Sequence, residues 1–512
     1  MANLDAIINQ SIVIEDGTPT RYRVKPTTNS LDESEPCRKM IFGERDKSKP
    51  HKTILMVGET GTGKTKLINA MINYMLGVKR EDKVWFEITD DQSDRTSAHS
   101  QTSNITVYGF YLQQSPIHLT IIDTPGYGDT RGVDYDKEIS LMLLNLSKCD
   151  DWVHKIDAVC LVVKASQNRL SGRQIYIFDA VQSLFGSNID ENIVLLVTYS
   201  HGAHPKNVLT AVEEAKFKCA VDDKNQPVYF LFDNCQGETF HEEYQMVQEQ
   251  SWNLSFKGMT GFFKLLENIK TKTLKMTRDV LQKREKLEAK MSNMQSHAQK
   301  MKLKKNELKQ SQEDLEFVKN NKNFENEVDV PYKVKVDIDY SLASVAMCCP
   351  VCEENCHYPG CWWVRDLSWC RKMRNNHCTV CTNKCHYSKH VKEAKIYVTK
   401  TKKEKRINEK LKKEYDDKID ASDSLVKKLG EELQELEKEK IKLVIEAFHC
   451  VESLQEIALN TDSLIILLHA NFLIEKLKEI NEPEKAEILE NIKKRAREEK
   501  KQALEYMKIY YK

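Results

Sequence analysis

The chain has 512 residues, 30 % of them charged, with a formal net charge of +1. That length holds about two to four domains, and the balanced charge gives no global field pointing to nucleic acid or an anionic membrane. The opening residues MANLDAIINQSIVIEDG lack a basic head and a long apolar core, so no signal peptide is expected. The apolar run Leu464–Leu468 is far too short for a transmembrane segment.

Residues 1–50 are polar, with short strands expected at Ser11–Ile14 and Tyr22–Val24, and read as an N-terminal extension. Residues 51–275 alternate apolar strands with amphipathic helices, the pattern of a mostly parallel sheet covered on both faces. Strands are expected at Ile54–Val57, Ile105–Tyr111, Leu119–Asp123, Ala158–Val163, Ile193–Thr198 and Val228–Phe232. Ile105–Tyr111 and Leu119–Asp123 lie close enough for an antiparallel hairpin. Helices are expected at Lys64–Leu76, Lys137–Leu146, Gly172–Leu184, Asn207–Phe217 and Gly261–Lys270.

The strand Ile54–Val57 runs into Gly58, Glu59, Thr60, Gly61, Thr62, Gly63, Lys64 and Thr65, and then into a helix. Gly, four residues and Gly-Lys-Thr between strand and helix make a phosphate-binding P-loop. Glycines let backbone N–H groups curl around phosphate oxygens, Lys64 reaches the terminal phosphates, and Thr65 offers its hydroxyl to Mg²⁺. A second element, Leu119-Thr-Ile-Ile-Asp123-Thr-Pro-Gly126, ends an apolar strand in a carboxylate. Asp123 suits the Mg²⁺ ion, and the Gly126 amide suits the last phosphate. Between them the polar stretch Asp94–Ser103 reads as a switch loop, with Thr102 the first choice for a hydroxyl on Mg²⁺ and Ser100 behind it. Tyr127–Gly132 would be the second switch. Tyr127 stands where many GTPases carry a water-orienting glutamine, so slow turnover is expected, with Lys64, Thr65, Thr102, Asp123 and Gly126 carrying the electrostatics.

Gly58–Thr65, Ser100–Tyr108 and Ile121–Asp129 together resemble the septins and the immunity-associated nucleotide-binding GTPases. More broadly, the chain is similar to a family of animal proteins that couple such a domain to a cysteine-rich module and long helices. The resemblance implies an α/β fold, a P-loop NTPase three-layer G domain, that binds GTP or GDP with Mg²⁺. It also implies hydrolysis that depends on a partner subunit, and a homo-oligomer built through the G domain or coiled coils. Relatives read guanine with an aspartate after the strand Ile193–Val197. Here Thr198-Tyr199-Ser200-His201 puts His201 at that place, and a neutral imidazole offers no carboxylate to guanine's paired N–H donors. GTP therefore rests on the resemblance, and relaxed base reading stays open. Asn234, ending the next strand, either touches the base or sits in a surface turn.

From 276 to 325 the composition turns to Lys, Glu, Gln and Met. Val280, Leu287, Met294, Met301, Leu308 and Leu315 recur every seventh position, so a coiled coil is expected, or one long helix lying on the G domain. Residues 326–398 begin with a weak strand and then hold nine of the 15 cysteines between Cys348 and Cys385. Two units share one pattern: Cys349, Cys352, Cys356, His357, Tyr358, Cys361 and Cys378, Cys381, Cys385, His386, Tyr387, His390. Each member lies 29 residues after its counterpart. Soft ligands in fours suit two structural Zn²⁺ ions in a reduced, cytoplasmic protein. The first expectation is one site from Cys349, Cys352, Cys356 and Cys361 and another from Cys378, Cys381, Cys385 and His390. An interleaved arrangement is equally compatible, and His357 and His386 are alternative ligands. Residues 400–415 are lysine-rich but carry Glu, which reads as a solvated helix face. The remainder of 399–512 reads as helical or coiled coil, with Pro483 opening a separate helix.

The leading reading is a nucleotide-dependent switch whose hydrolysis changes self-assembly or partner binding. The alternative is a nucleotide-binding scaffold with negligible hydrolysis that acts through its coiled coils and zinc module. Asp123-Thr-Pro-Gly126 argues against a P-loop kinase or ATPase.

Overall fold

The computed structural model describes residues 2–30, 37–88, 105–128, 133–146, 154–166, 170–320, 325–339, 343–360, 364–407, 420–496 and 498–510. Thr102 and Cys361 lie outside them. The chain divides into two compact units. One comprises Met1–Gln282, Leu454–Leu468 and Lys494–Lys512; the other comprises Lys283–Ser453 and His469–Lys493.

The first unit is built on an eight-stranded sheet. Its strands are β1 (Thr28–Ser30), β2 (Arg38–Gly43), β3 (His51–Gly58), β4 (Thr106–Tyr111), β5 (His118–Asp123), β6 (Ala158–Lys164), β7 (Ile193–Thr198) and β8 (Tyr229–Leu231). Their spatial order is β8-β7-β6-β3-β5-β4-β2-β1. β3 pairs parallel with β5 and β6, while β4 and β5 form the antiparallel hairpin expected from their spacing. Ile54, Met56 and Val57 are fully buried because both faces of a central parallel strand are covered. Helices α1 (Lys64–Met75), α2 (Val133–Leu146), α3 (Gly172–Gln182), α4 (Lys206–Glu214) and α5 (Gln245–Asn268) belong to this unit. The last begins well before the expected Gly261.

The N-terminal residues do more than extend the domain. β2 pairs parallel with β4 and β1 closes the edge, while Thr20–Arg23 pairs parallel with Val84–Glu87. Met40 and Phe42 alternate inward from β2 and join the main core, where Phe42 stacks on Phe110.

In the second unit, α6 (Lys275–Asn320) runs beside α7 (Asp420–Ile457). Lys290 pairs with Glu446, His297 contacts Glu439 at 3.1 Å and Lys304 contacts Glu432 at 2.8 Å. Each step is seven residues forward on α6 and seven back on α7, so the two helices are antiparallel. Leu287, Met294 and Met301 are buried along that seam, while Leu308 is only half-buried. The expected heptads therefore face a helix of the same chain. Strands β9 (Glu325–Asp337) and β10 (Lys395–Ile407) form an antiparallel ribbon. The expectation of a helix over 400–415 fails across 400–407. That segment alternates Lys, Thr and Glu and finds a complete strand partner, and sheet pairing overrides its weak helical pattern. The ribbon carries the cysteine-rich module. Further helices are α8 (Leu464–Glu479), α9 (Pro483–Arg495) and α10 (Glu498–Tyr510). No helix of the described residues is long and apolar enough to cross a membrane.

Candidate functional site

The P-loop lies where the central strand β3 meets α1. Gly58 has φ +153°, and a Cβ there would meet the Val162 carbonyl oxygen at 2.4 Å. Only glycine lets β6 pass that closely. Lys64 is buried, and its Nζ donates to the carbonyls of Gly58 and Glu59 at 3.1 Å each. Burial pushes its ammonium down to about 8, against the raising influence of Asp123 and Glu59. Thr65 is half-buried in the first turn of α1. Thr62 donates its hydroxyl to the Glu59 carbonyl, and Thr198, at the end of β7, donates to the Thr62 carbonyl at 2.6 Å. The loop is thus held in its curl by its own side chain and by the neighbouring strand.

Asp123 ends β5 beside it. The carboxylate is buried, its Oδ1 has no hydrogen-bond partner among the described residues, and burial raises it to about 7 while Lys64 pulls it down. A buried carboxylate with a lone oxygen suits a divalent cation, whose charge would reverse that shift. Gly126 must be glycine, because a Cβ there would lie 2.5 Å from the Thr60 Cα. Tyr127 is zipped to the P-loop. Its N–H donates to the Gly58 carbonyl, and its carbonyl accepts from the Thr60 N–H, both at 3.0 Å. Its side chain is 1 % exposed.

Two residues missed in the sequence hold this junction. Asp136 on α2 accepts from the Gly128 N–H at 3.0 and 3.1 Å. Arg173, in the first turn of α3, donates to the Gly128 carbonyl at 2.7 Å and pairs with Glu59 at 3.0 Å. The capping box of Ser171 and Gln174 fixes where α3 starts, and that S-x-x-Q pattern was the available signal.

The base-reading side departs from expectation. His201 is exposed. Tyr199 adopts φ +51°, and its ring lies 3.5 Å from where a Cβ of Gly63 would stand, with Lys164 Nζ 5.7 Å from the ring centroid. An aromatic face beside the P-loop offers stacking to any base. Asn234 is 8 % exposed, and neither its amide nitrogen nor its oxygen has a partner among the described residues. Its φ of +59° is one that asparagine tolerates. A buried amide with all its hydrogen-bonding capacity unspent marks a place for a polar ligand.

In the cysteine-rich module the two repeats interleave. Cys349, Cys352, Cys381 and Cys385 place their sulfurs within 4.8 Å of one another, and Cys356, Cys378, Cys381 and His390 likewise bring their ligand atoms together. His357 instead faces Cys370 at 3.3 Å, and His386 faces the Ser388 hydroxyl at 2.9 Å. Trp369, between the two repeats, is 52 % exposed.

A P-loop joined to an Asp-x-x-Gly turn at the centre of a mostly parallel sheet defines a P-loop NTPase domain. Within it, residues 52–250 match the AIG1 family. The match ends before α6 and the cysteine-rich module. No curated protein matches the chain. Among solved structures, a dimerization-deficient mutant of Toc33 from Arabidopsis thaliana aligns at 14 % identity. It covers 46 % of this chain and 86 % of that one, with a TM-score of 0.29. Toc33 in complex with GDP and Mg²⁺ aligns at 15 % identity over the same shares, also with a TM-score of 0.29.

Proposed function

We propose that the chain is a guanine-nucleotide-binding switch with slow Mg²⁺-dependent GTP hydrolysis. The observation that carries nucleotide binding is the joint presence, at the P-loop, of buried Lys64 and of buried Asp123, whose Oδ1 has no partner among the described residues. Lys64, Thr65 and the N–H groups of Gly58–Thr65 receive the phosphates. Thr65, Asp123 and Thr102 serve Mg²⁺, which screens phosphate charge when bound. Tyr199 and Asn234 receive the base; the preference for guanine rests on the AIG1 match and on the sequence motifs. Nucleotide state is read where Arg173 touches both Glu59 and Gly128. Self-association through the G domain is the favoured readout, since the heptad seam of α6 is spent inside the chain. In the second unit, structural zinc holds the cysteine-rich module.

A second reading, a scaffold that binds nucleotide with negligible hydrolysis, draws on Tyr127. Its side chain is buried where a water-orienting glutamine would stand open to the phosphate. Calorimetry with GTP, GDP and ATP plus Mg²⁺, with Lys64→Ala as control, tests binding. Guanine-selective binding lost in the variant is expected. Equal affinity for ATP and GTP would remove the guanine assignment, and no binding would leave the P-loop a relic. Turnover on the bound protein then separates switch from scaffold.

A further inference from the structure

We infer that the two cysteine repeats exchange their third cysteines, so that each of two metal ions is held by ligands from both repeats. This rests on the reading of the module as metal-binding. Cys385, the third cysteine of the second repeat, lies with Cys349 and Cys352 of the first; its sulfur is 3.7 Å from that of Cys352. Cys356, the third cysteine of the first repeat, lies with Cys378, Cys381 and His390 of the second. Two thiolates on one tetrahedral zinc, each about 2.3 Å from the metal, stand roughly 3.8 Å apart. The observed separation matches that and is far longer than a disulfide bond.

The surroundings are those of metal-bound thiolates. The Cys378 sulfur accepts from the N–H groups of Val380 and Cys381, each at 3.4 Å, and the Cys381 sulfur accepts from the Cys385 N–H at 3.3 Å. His390 turns Nε2 toward the Cys381 sulfur at 3.7 Å, while its Nδ1 meets the His386 carbonyl at 3.1 Å. A carbonyl on Nδ1 fixes the tautomer that leaves Nε2 free to ligate. The sulfur-rich set with one imidazole selects Zn²⁺, with no hard oxygen donor among these ligands. Cys381 belongs to both groups of four, so the two metal positions are neighbours with that sulfur between them.

Exchange has a consequence that self-contained repeats lack. Cys356 and Cys385 trade places in the ligand sets, so their loss leaves behind ions of opposite character. Metal content and X-ray absorption on the full-length Cys385→Ala and Cys356→Ala variants test this, with cobalt replacing zinc for the optical spectrum. The unsubstituted chain is expected to hold two ions. Cys385→Ala should fall to one ion that shows histidine-ring scattering, because the set of Cys356, Cys378, Cys381 and His390 survives. Cys356→Ala should fall to one ion whose shell is sulfur without the imidazole. The reverse assignment would overturn the exchange while leaving zinc in place, whereas an unsubstituted chain without metal would overturn both. Should either variant lose both ions, cadmium-113 correlation spectra of the unsubstituted chain decide. One cadmium coupled to Cys349, Cys352 and Cys385 together supports the exchange, and one coupled to Cys378, Cys381 and Cys385 without Cys356 refutes it.

Discussion

Lys64 and Asp123 are two buried charges of opposite sign, each moved toward its neutral form. Asp123 is raised, so between about 4 and about 7 the folded chain holds a proton that the unfolded chain does not. That stabilisation is present at low pH and is lost as pH rises through about 7. Lys64 is lowered, so above about 8 the unfolded chain binds the extra proton and stability recovers as pH rises toward the ordinary lysine value. Mg²⁺·nucleotide needs the opposite states, a carboxylate and an ammonium. Binding near pH 6 is therefore expected to release a proton from Asp123, and binding near pH 9 to take one up at Lys64. Calorimetry in buffers of different ionisation heat reads both; a binding enthalpy independent of buffer at both pH values would sink the assignment. At Asn234 the buried side chain has no partner among the described residues, so there it costs desolvation without return. Asn234→Gly keeps the positive φ and is expected to leave the urea midpoint nearly unchanged. It should weaken nucleotide binding several-fold, about 1 kcal/mol for one lost hydrogen bond. Unaltered affinity would make Asn234 a turn residue.

Between elements, one buried carboxylate does much of the joining. Asp179 on α3 accepts from Asn460 Nδ2 at 2.7 Å and from the Leu464 N–H at 2.9 Å, and lies 3.4 Å from Lys500 Nζ. It thereby caps α8 from another helix, satisfying a donor that a helix start leaves open. Asp179→Ala strands these donors and is expected to cost about 3 kcal/mol, measured by urea unfolding. A loss below about 0.5 kcal/mol would mean that water replaces the carboxylate. α10 lies on the same face. Ala503 and Met507 are buried, the Tyr506 ring is 5.7 Å from Tyr176, and a Cβ on Gly172 would meet the Gln502 carbonyl at 3.0 Å. Met507→Ala should destabilise by about 2–3 kcal/mol through lost burial and the cavity left behind. An unchanged midpoint would show α10 undocked in solution. Little of this was legible in the sequence. Continuous apolar runs such as Ile193–Val197 announce central strands, because burial on both faces removes every polar residue. β2, reading Arg-Lys-Met-Ile-Phe-Gly, buries only alternate residues and looks like polar chain. The heptads of α6 mark a seam but do not name its partner, and the partner, α7, comes more than a hundred residues later. The P-loop and Asp-x-x-Gly turn were readable because backbone geometry forces their glycines. Arg173 and Asp136 were not, since they act through folded proximity.

For the whole molecule, the two units rest on different physics. The first has a large apolar core that runs from Met40 through Ile54, Leu67, Phe110 and Leu196 to Phe262. Among the described residues of the cysteine module, Met347 and Val364 are buried beside its cysteines and Ile338 and Ala346 next to Cys348, with Leu367, Met373 and Val380 partly covered. These described apolar side chains form a small core for a module of this length, the situation in which small folds rely on a staple such as a metal. The metal proposed for the module would add roughly 10 kcal/mol or more per site, the usual contribution of a structural zinc. Within its own unit the module is attached by the β9–β10 ribbon and by the 3.1 Å ion pair of Lys372 with Glu285 near the start of α6. Stripping metal from the full-length chain with a chelator under reducing conditions is therefore expected to unfold residues 346–393, seen as rapid amide exchange there. Exchange across β3, β5, β6 and β7 should stay slow, and nucleotide affinity should stay within about twofold, because the P-loop and the cysteine module belong to different units. If chelation left exchange in the module slow, its fold would not need metal. If it abolished nucleotide binding as well, the two units would be one cooperative system and the stability of the P-loop domain would hang on zinc.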